Sequence, residues 1–348
     1  ASLCIGCGKC ITVCPVRLNT PGLLGRLKDE AGLSPAPPRV RMLLNVVRDR
    51  QRLRRVGSLV RFYQRSGLQG VARASGLLRP LGLADAERLL PPPAPPDARA
   101  LPPRAPERSV VTFFRGCLMD ELMGDINRDT LAVLAANGCR VSIPDGQTCC
   151  GALHAHSGGG ETARELARQN IAAFADTSGP IVTNSGGCGA LLKHYGDLLA
   201  DDPAYAETAR ALAARVRDLS EYLAELGPLP MTGIDPVAVT YQDSCHLALV
   251  QGITQAPRDL LRAIPGVQLT EMPPGEACCG SGGVWSIANP DLAARLRESK
   301  IADAQTTGAS LIVTANPGCL LHLQSEGRPV VHIAQLLAQA YRSGGEVS

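Results

Sequence analysis

The chain has 348 residues, 45% of them hydrophobic and 3% aromatic, with a formal net charge of +3. That length buries a sizeable core and suits two or more domains. So small a charge speaks against nucleic acid as a partner, the scarcity of aromatics removes a base-stacking platform, and no stretch approaches the ~20 apolar residues that span a bilayer.

Taken in order, the first feature is Cys4, Cys7, Cys10 and Cys14, followed by Pro15, in the pattern C-x2-C-x2-C-x3-C-P. This is the bacterial ferredoxin run, in which three thiolates on a tight loop grip one cubane and the fourth reaches another cluster. A zinc knuckle is the competing reading and a poor one, because zinc sites usually pair their cysteines two and two. No other cysteine occurs before Cys117. The expectation is therefore that a partner run lies upstream of Ala1, or that one cluster is completed differently. From 39 to 65 an arginine-rich stretch carries Leu53, Val56, Val60 and Tyr63 at helical spacing. It reads as a solvated helix flanking the cluster module, with an acidic partner or an anionic membrane surface as the alternative. Residues 91–106 are proline-rich and predict a stiff, extended linker.

Beyond it the chain repeats itself. Cys117, Cys149, Cys150 and Cys188 recur as Cys245, Cys278, Cys279 and Cys319, with spacings that agree to within one or two residues. A match of cysteines, glycines and flanking apolar runs at a period of roughly 130 residues indicates an internal duplication. Apolar runs of strand length at 110–114, 140–143 and 180–183, then 237–241, 267–270 and 311–314, each precede a cysteine position. Amphipathic stretches between them predict strand–helix alternation and parallel sheets. Helices are expected at 160–175, 205–226, 257–263 and 291–304, a chain break at 227–230, and a last strand and helix over 330–341. In such sheets ligands bind at the carboxyl ends of the strands. Three loops there would gather four thiolates per repeat, a donor set that suits iron–sulfur or zinc. The expected class is α/β: a ferredoxin-like helical iron–sulfur module with its connection at 1–90, a linker at 91–107, and duplicated α/β domains at 108–228 and 229–348.

Thirteen cysteines grouped at metal-ligand spacing in so large a chain do not describe a secreted disulfide scaffold, so a reducing, cytoplasmic setting is expected. Cys139, outside every group, reads as a buried hydrophobe. Of six histidines, His154, His156 and His246 neighbour cysteines, and His322 stands three residues after Cys319. An imidazole there is a candidate iron ligand or proton donor, weighed against a supporting or surface role; His194 and His332 suggest none. No nucleotide-binding glycine fingerprint, G-x-S-x-G or P-loop follows a predicted strand. The chain offers nothing to take a hydride.

The run C-x2-C-x2-C-x3-C-P, the helical and proline-rich connection, and the phrases TCCGALHAH, SGGCGALLKHYG, ACCGSGG and TANPGCLLH resemble the iron–sulfur subunit of bacterial glycolate oxidase, over nearly the whole chain. The resemblance implies 4Fe-4S clusters, one at the N-terminal run and a candidate one in each CCG repeat, zinc or no metal being the open alternatives there. It carries cluster ligation to Cys4, Cys7, Cys10 and Cys14, to Cys117, Cys149, Cys150 and Cys188, and to Cys245, Cys278, Cys279 and Cys319. It also implies flavin-binding dehydrogenase subunits as partners, FAD on those subunits only, and electrons from a 2-hydroxy acid passed on to a quinone, with peripheral contact at the inner face of the cell membrane. The family pattern has two ferredoxin runs, and the one here resembles the second. Two further readings compete. Heterodisulfide reductase B-like subunits reduce a disulfide at CCG clusters, but end each repeat in C-x2-C, where this chain has Leu191 and His322. A non-catalytic zinc-binding docking subunit is the other.

Overall fold

Every apolar run is a strand in the computed structural model, which describes residues 3–16, 18, 20–30, 37–76, 78, 80, 83–96, 98–273, 278–324 and 327–342. β1 (Ser109–Phe114), β2 (Cys139–Ser142), β3 (Ile181–Thr183) and β4 (Val216–Asp218) make one parallel sheet in the order β2-β1-β3-β4. β5 (Val237–Gln242), β6 (Val267–Leu269), β7 (Leu311–Thr314) and β8 (Val330–His332) make a second, in the matching order β6-β5-β7-β8. Thr112 is in register with Ile181 and Ser109 with Cys139; Val239 matches Leu311 and Val237 matches Val267. β-Branched runs such as Ile-Val-Thr at β3 are buried throughout, as parallel strands covered on both faces must be. In each sheet the first strand lies between the second and third. The three loops that leave their carboxyl ends therefore meet at one place.

Two expected helices are interrupted. The 205–226 stretch is a helix Ala206–Arg215, the strand β4 and a second helix Leu219–Leu226. Its alanine-rich spacing reads as continuous, but Val216 pairs with Ile181 at the sheet edge, and Asp218 starts the next helix by accepting from the Ser220 amide at 2.8 Å in a capping box with Glu221. The arginine-rich stretch likewise divides into Pro38–Val47 and Arg50–Arg65, because the Asp49 carboxylate accepts from the amides of Gln51 and Arg52 at 2.9 and 3.0 Å. Strand edges also move by a residue: 140–143 is Cys139–Ser142, and 267–270 ends at Leu269.

The repeats are not separate beads. One apolar cluster joins Val111, Phe113, Leu131 and Leu134 to Val239, Leu261, Ile312 and Leu337. The helix Gly124–Ala136 packs along the helix Ile333–Arg342, tied at its rim by Arg342 and Asp129 at 3.1 Å. Polar links cross the same seam. The Gly187 amide donates to Asn316 Oδ1 at 3.1 Å, Gln251 Nε2 donates to the Gly186 carbonyl at 2.9 Å, and His332 Nε2 lies 2.9 Å from the Asn184 carbonyl. The proline-rich connection is extended but lies on the first repeat. A Cβ on Gly124 would stand 2.1 Å from the Pro95 carbonyl oxygen, so the close approach requires glycine. Among the described residues no helix is long and apolar enough to cross a membrane.

Candidate metal centres

In the first repeat Cys117 opens the helix Cys117–Leu122 just past β1, Cys149 and Cys150 follow β2, and Cys188 lies in the helix Gly186–Lys193 past β3. Cys149 and Cys150 are buried, Cys117 and Cys188 half-buried. Their sulfurs form one hydrogen-bonded group. Thiols donated by Cys117 and Cys150 hold Cys149 well below the usual thiol range, while the donors are pushed up, by that bonding first and by burial after it. Residues far along the chain fix the pair: Asn170 Nδ2 donates to the Cys149 carbonyl at 2.9 Å and the Tyr195 hydroxyl to the Cys150 carbonyl at 2.8 Å. Neither was singled out from sequence, because only the fold makes them neighbours.

The second repeat reproduces this arrangement. Cys245 follows β5, Cys278 and Cys279 come after β6, and Cys319 is in the helix Pro317–Gln324. Cys279 and Cys319 have their sulfurs 3.1 Å apart, and Asn316 Nδ2 donates to Cys319 Sγ at 3.4 Å. Cys278 is drawn down to about 3 by thiols donated from Cys245 and Cys279, which are themselves raised. Gly280, at φ 88°, passes so near the helix Pro290–Thr306 that a Cβ would meet the Ala293 carbonyl oxygen at 2.5 Å. His322 is buried, with Nε2 at 3.2 Å from that same carbonyl. Cys139 is fully buried in the apolar core beside the Tyr222 hydroxyl at 3.6 Å, the surroundings of a packed hydrophobe.

The N-terminal run docks against the second repeat. Cys4 and Cys7 are in a loop, Cys10 is in the short helix Lys9–Val13 and Cys14 caps its end. Gly8 takes φ 80° before that helix, a left-handed turn suited to glycine. A Cβ there would touch Val250 at 3.1 Å, and Ile5 fills the space over Gly282. Cys7 is pushed up chiefly by burial, with the charges of Cys278, Cys10 and Cys4 adding to the shift. Cys7, Cys245 and Cys278 line one cavity of about 250 Å3. At the first repeat the corresponding space is about 20 Å3, covered by Arg50 and Leu53 of the connection helix. His156 of the first repeat and His246 of the second meet with ring centroids 5.3 Å apart.

Among the described residues no group of three or more His, Cys, Asp or Glu side chains is arranged to hold a single metal ion. Four soft thiols on glycine-hinged loops fit a cluster, whose ligands surround a cage rather than a point.

Comparison with known proteins agrees with this donor set. A cysteine-rich (CCG) domain model matches residues 111–193 and 239–324, a 4Fe-4S binding domain matches 1–17, and the linker region of the glycolate oxidase iron–sulfur subunit matches 38–90. The probable glycolate oxidase iron–sulfur subunit of Bacillus subtilis is 41% identical over 97% of this chain and 82% of its own length. Lactate utilization protein A of Halalkalibacterium halodurans is 34% identical over 68% of this chain and 99% of its own. That of Shouchella clausii is 35% identical over 65% and 98%. In fold, a hypothetical protein from Helicobacter pylori superposes with a TM-score of 0.50 at 10% identity, over 72% of this chain and about half (52%) of the other. The chain is an iron–sulfur protein and belongs to the family of glycolate oxidase iron–sulfur subunits.

Proposed function

We propose that this chain is the electron-transfer subunit of a flavin-dependent 2-hydroxy-acid dehydrogenase complex, with glycolate as the expected substrate, and that it passes electrons from a flavin subunit to a quinone-type acceptor. Cys4, Cys7, Cys10 and Cys14 would hold a 4Fe-4S cluster in the 1–90 module. Cys117, Cys149, Cys150 and Cys188 would hold a second centre in 108–228, and Cys245, Cys278, Cys279 and Cys319 a third in 229–348, with 91–107 as the connection. Bound clusters supply one-electron chemistry, which the side chains alone lack. The observation that carries the reading is the shared wall of Cys7, Cys245 and Cys278, which brings two thiol sets from distant parts of the chain together. Exposed Leu59 and Phe62 on the arginine-rich helix suit a peripheral contact at the inner face of the cell membrane, where a quinone is met.

The test is direct. The purified, iron-loaded chain alone should not oxidise glycolate or lactate with an artificial dye, and adding flavin subunits should confer the activity together with reduction of its clusters, read by electron paramagnetic resonance. Robust oxidation by this chain free of flavin and partners would refute the assignment.

A further inference from the structure

The two repeats begin the helix that carries their closing cysteine in different ways. In the first, Ser185 stands just before the helix Gly186–Lys193, and its hydroxyl accepts from the Cys188 amide at 3.5 Å. That is the ordinary work of a residue in this place, since the third amide of a helix has no partner within it. Asn316 holds the equivalent place before the helix Pro317–Gln324, and its carbonyl accepts from the Leu320 amide at 3.0 Å. Asparagine caps a helix as well as serine does, yet here the side chain is turned elsewhere. Oδ1 accepts from the Gly187 amide of the first repeat at 3.1 Å, and Nδ2 donates to Cys319 Sγ at 3.4 Å.

Chemistry fixes which end of the amide faces the sulfur. A backbone N–H can only donate, so the atom it meets is the oxygen, and the NH2 group is turned to Cys319. Gly318 gives that group room, because a Cβ there would stand 3.4 Å from Nδ2 and 2.8 Å from Ser281 Oγ. Donor and sulfur are three residues apart at one helix start, so their approach does not depend on the loops that bring the other thiols. Backbone donors to sulfur are matched between the copies: the Gly151 amide reaches Cys149 at 3.5 Å, and the Gly280 amide reaches Cys278 at 3.4 Å. The Asn316 contact is unmatched, because Ser185 meets the Cys188 amide instead.

A hydrogen bond donated to a ligating thiolate favours the more negative, reduced state of a cluster and so raises its reduction potential. We propose that Asn316 tunes the second repeat's centre: its Nδ2–H, held in place by the Gly187 amide of the first repeat, raises that centre's reduction potential. Electrons then rest there more readily than the same four thiols would allow alone. The inference rests on the iron–sulfur reading of Cys245, Cys278, Cys279 and Cys319, and it makes one centre depend on the backbone of the other repeat.

Redox titration of the iron-loaded full chain, followed by electron paramagnetic resonance, tests this. The second centre is the signal that Cys279→Ser removes. Asn316→Leu takes away both contacts of the side chain. Asn316→Ser installs the first repeat's own cap and carries the test if the leucine variant does not fold by circular dichroism. Each should shift the reduction equilibrium of that signal about threefold to tenfold toward the oxidised state, the range one hydrogen bond spans, or about 28 to 59 mV for one electron. The other signals should stay in place. Gln251→Leu is the control for the seam, since it removes the neighbouring link to the Gly186 carbonyl and should leave the midpoint alone. A midpoint unmoved in the Asn316 variants overturns the proposal. So does an equal drop in Gln251→Leu, which would make Asn316 a seam contact only. Should Cys279→Ser remove neither signal nor iron, the iron–sulfur reading of the second repeat fails first and takes this inference with it.

Discussion

The two repeats share a strand order, a thiol pattern and a pair of glycine-hinged loops, yet they are closed in opposite ways. Over the first, the connection helix Arg50–Arg65 sits tight. Arg54 and Arg61 flank the buried Glu121 at 3.4 and 3.6 Å, and Gly57 allows the approach because a Cβ there would stand 3.1 Å from Glu121 Oε2. Burial raises Asp120 and Glu121, and the arginines oppose the shift. Over the second, the N-terminal run closes only part of the space and leaves a cavity of about 250 Å3. Duplication thus supplies a scaffold twice, and what covers the strand ends makes the copies different. One is packed tight beneath a helix, and the other keeps a cavity that a second set of thiols helps to line.

The largest effects should come from the thiols themselves. Cys150→Ser and Cys279→Ser each replace a soft donor with a hydroxyl that binds iron poorly, so each should strip most of the iron and labile sulfide from its own repeat. Metal analysis of the two variants tests whether the centres are independent. Loss from both repeats with either variant would break the comparison, and iron and electron transfer unchanged in both would remove the cage altogether.

Next come the hinge glycines. Gly151 and Gly280 have φ of 93° and 88°, a conformation that costs another residue ~1–2 kcal/mol. The added Cβ would be 3.2 Å from Ala163 in the first repeat but 2.5 Å from the Ala293 oxygen in the second. Overpacking of that kind costs a further ~1–3 kcal/mol. Gly280→Ala should therefore destabilise by about 3 kcal/mol and Gly151→Ala by less, measured as shifts in denaturant midpoint. Equal shifts would mean that the loops are equally roomy.

The seam between the repeats titrates. His332 is fully buried and its pKa lowered to about 4, by burial first. The neutral ring satisfies both nitrogens: Nε2–H donates to the Asn184 carbonyl, and Nδ1 accepts from the Ala334 amide at 3.2 Å. The unfolded chain, with an ordinary histidine near 6.5, binds the proton first. Stability is therefore undiminished above about pH 6.5 and falls as pH drops toward 4, by about 2 kcal/mol at pH 5. His332→Asn should flatten that loss in unfolding experiments at pH 7 and pH 5. The difference between the two profiles isolates His332, because Asp218, raised by burial to about 6, acts in the same window with opposite sign. A variant as acid-sensitive as wild type would exclude the seam.

Smallest of all should be Cys139→Ser. The sulfur packs in the core beside the Tyr222 hydroxyl, which can partner a serine, so the cost should stay within ~1 kcal/mol. Iron content should not change. A fall in iron would make Cys139 a ligand and end the equivalence of the two thiol sets.

Much of this was legible before any coordinates. The period of the cysteines, the apolar runs ahead of them and the C-x2-C-x2-C-x3-C-P run are local patterns, and local patterns determine strand–helix alternation and thiols at strand ends. Cys139 could be set apart because it alone falls outside every cysteine group. Other features were hidden for a physical reason. β4 forms because Val216 finds Ile181 at a sheet edge, and nothing in an alanine-rich helical spacing announces that partner. Asn170 and Tyr195 come to hold the first cysteine pair, and His332 comes to clasp Asn184, only when segments distant in sequence are packed. Which repeat receives the N-terminal run, and whether its cover leaves a cavity, depends on Ile5 over Gly282 and Gly8 against Val250. Those are fits between two whole surfaces. Sequence periodicity reports which face of an element is apolar, while the choice of partner for that face is made by shape and charge summed over the folded chain.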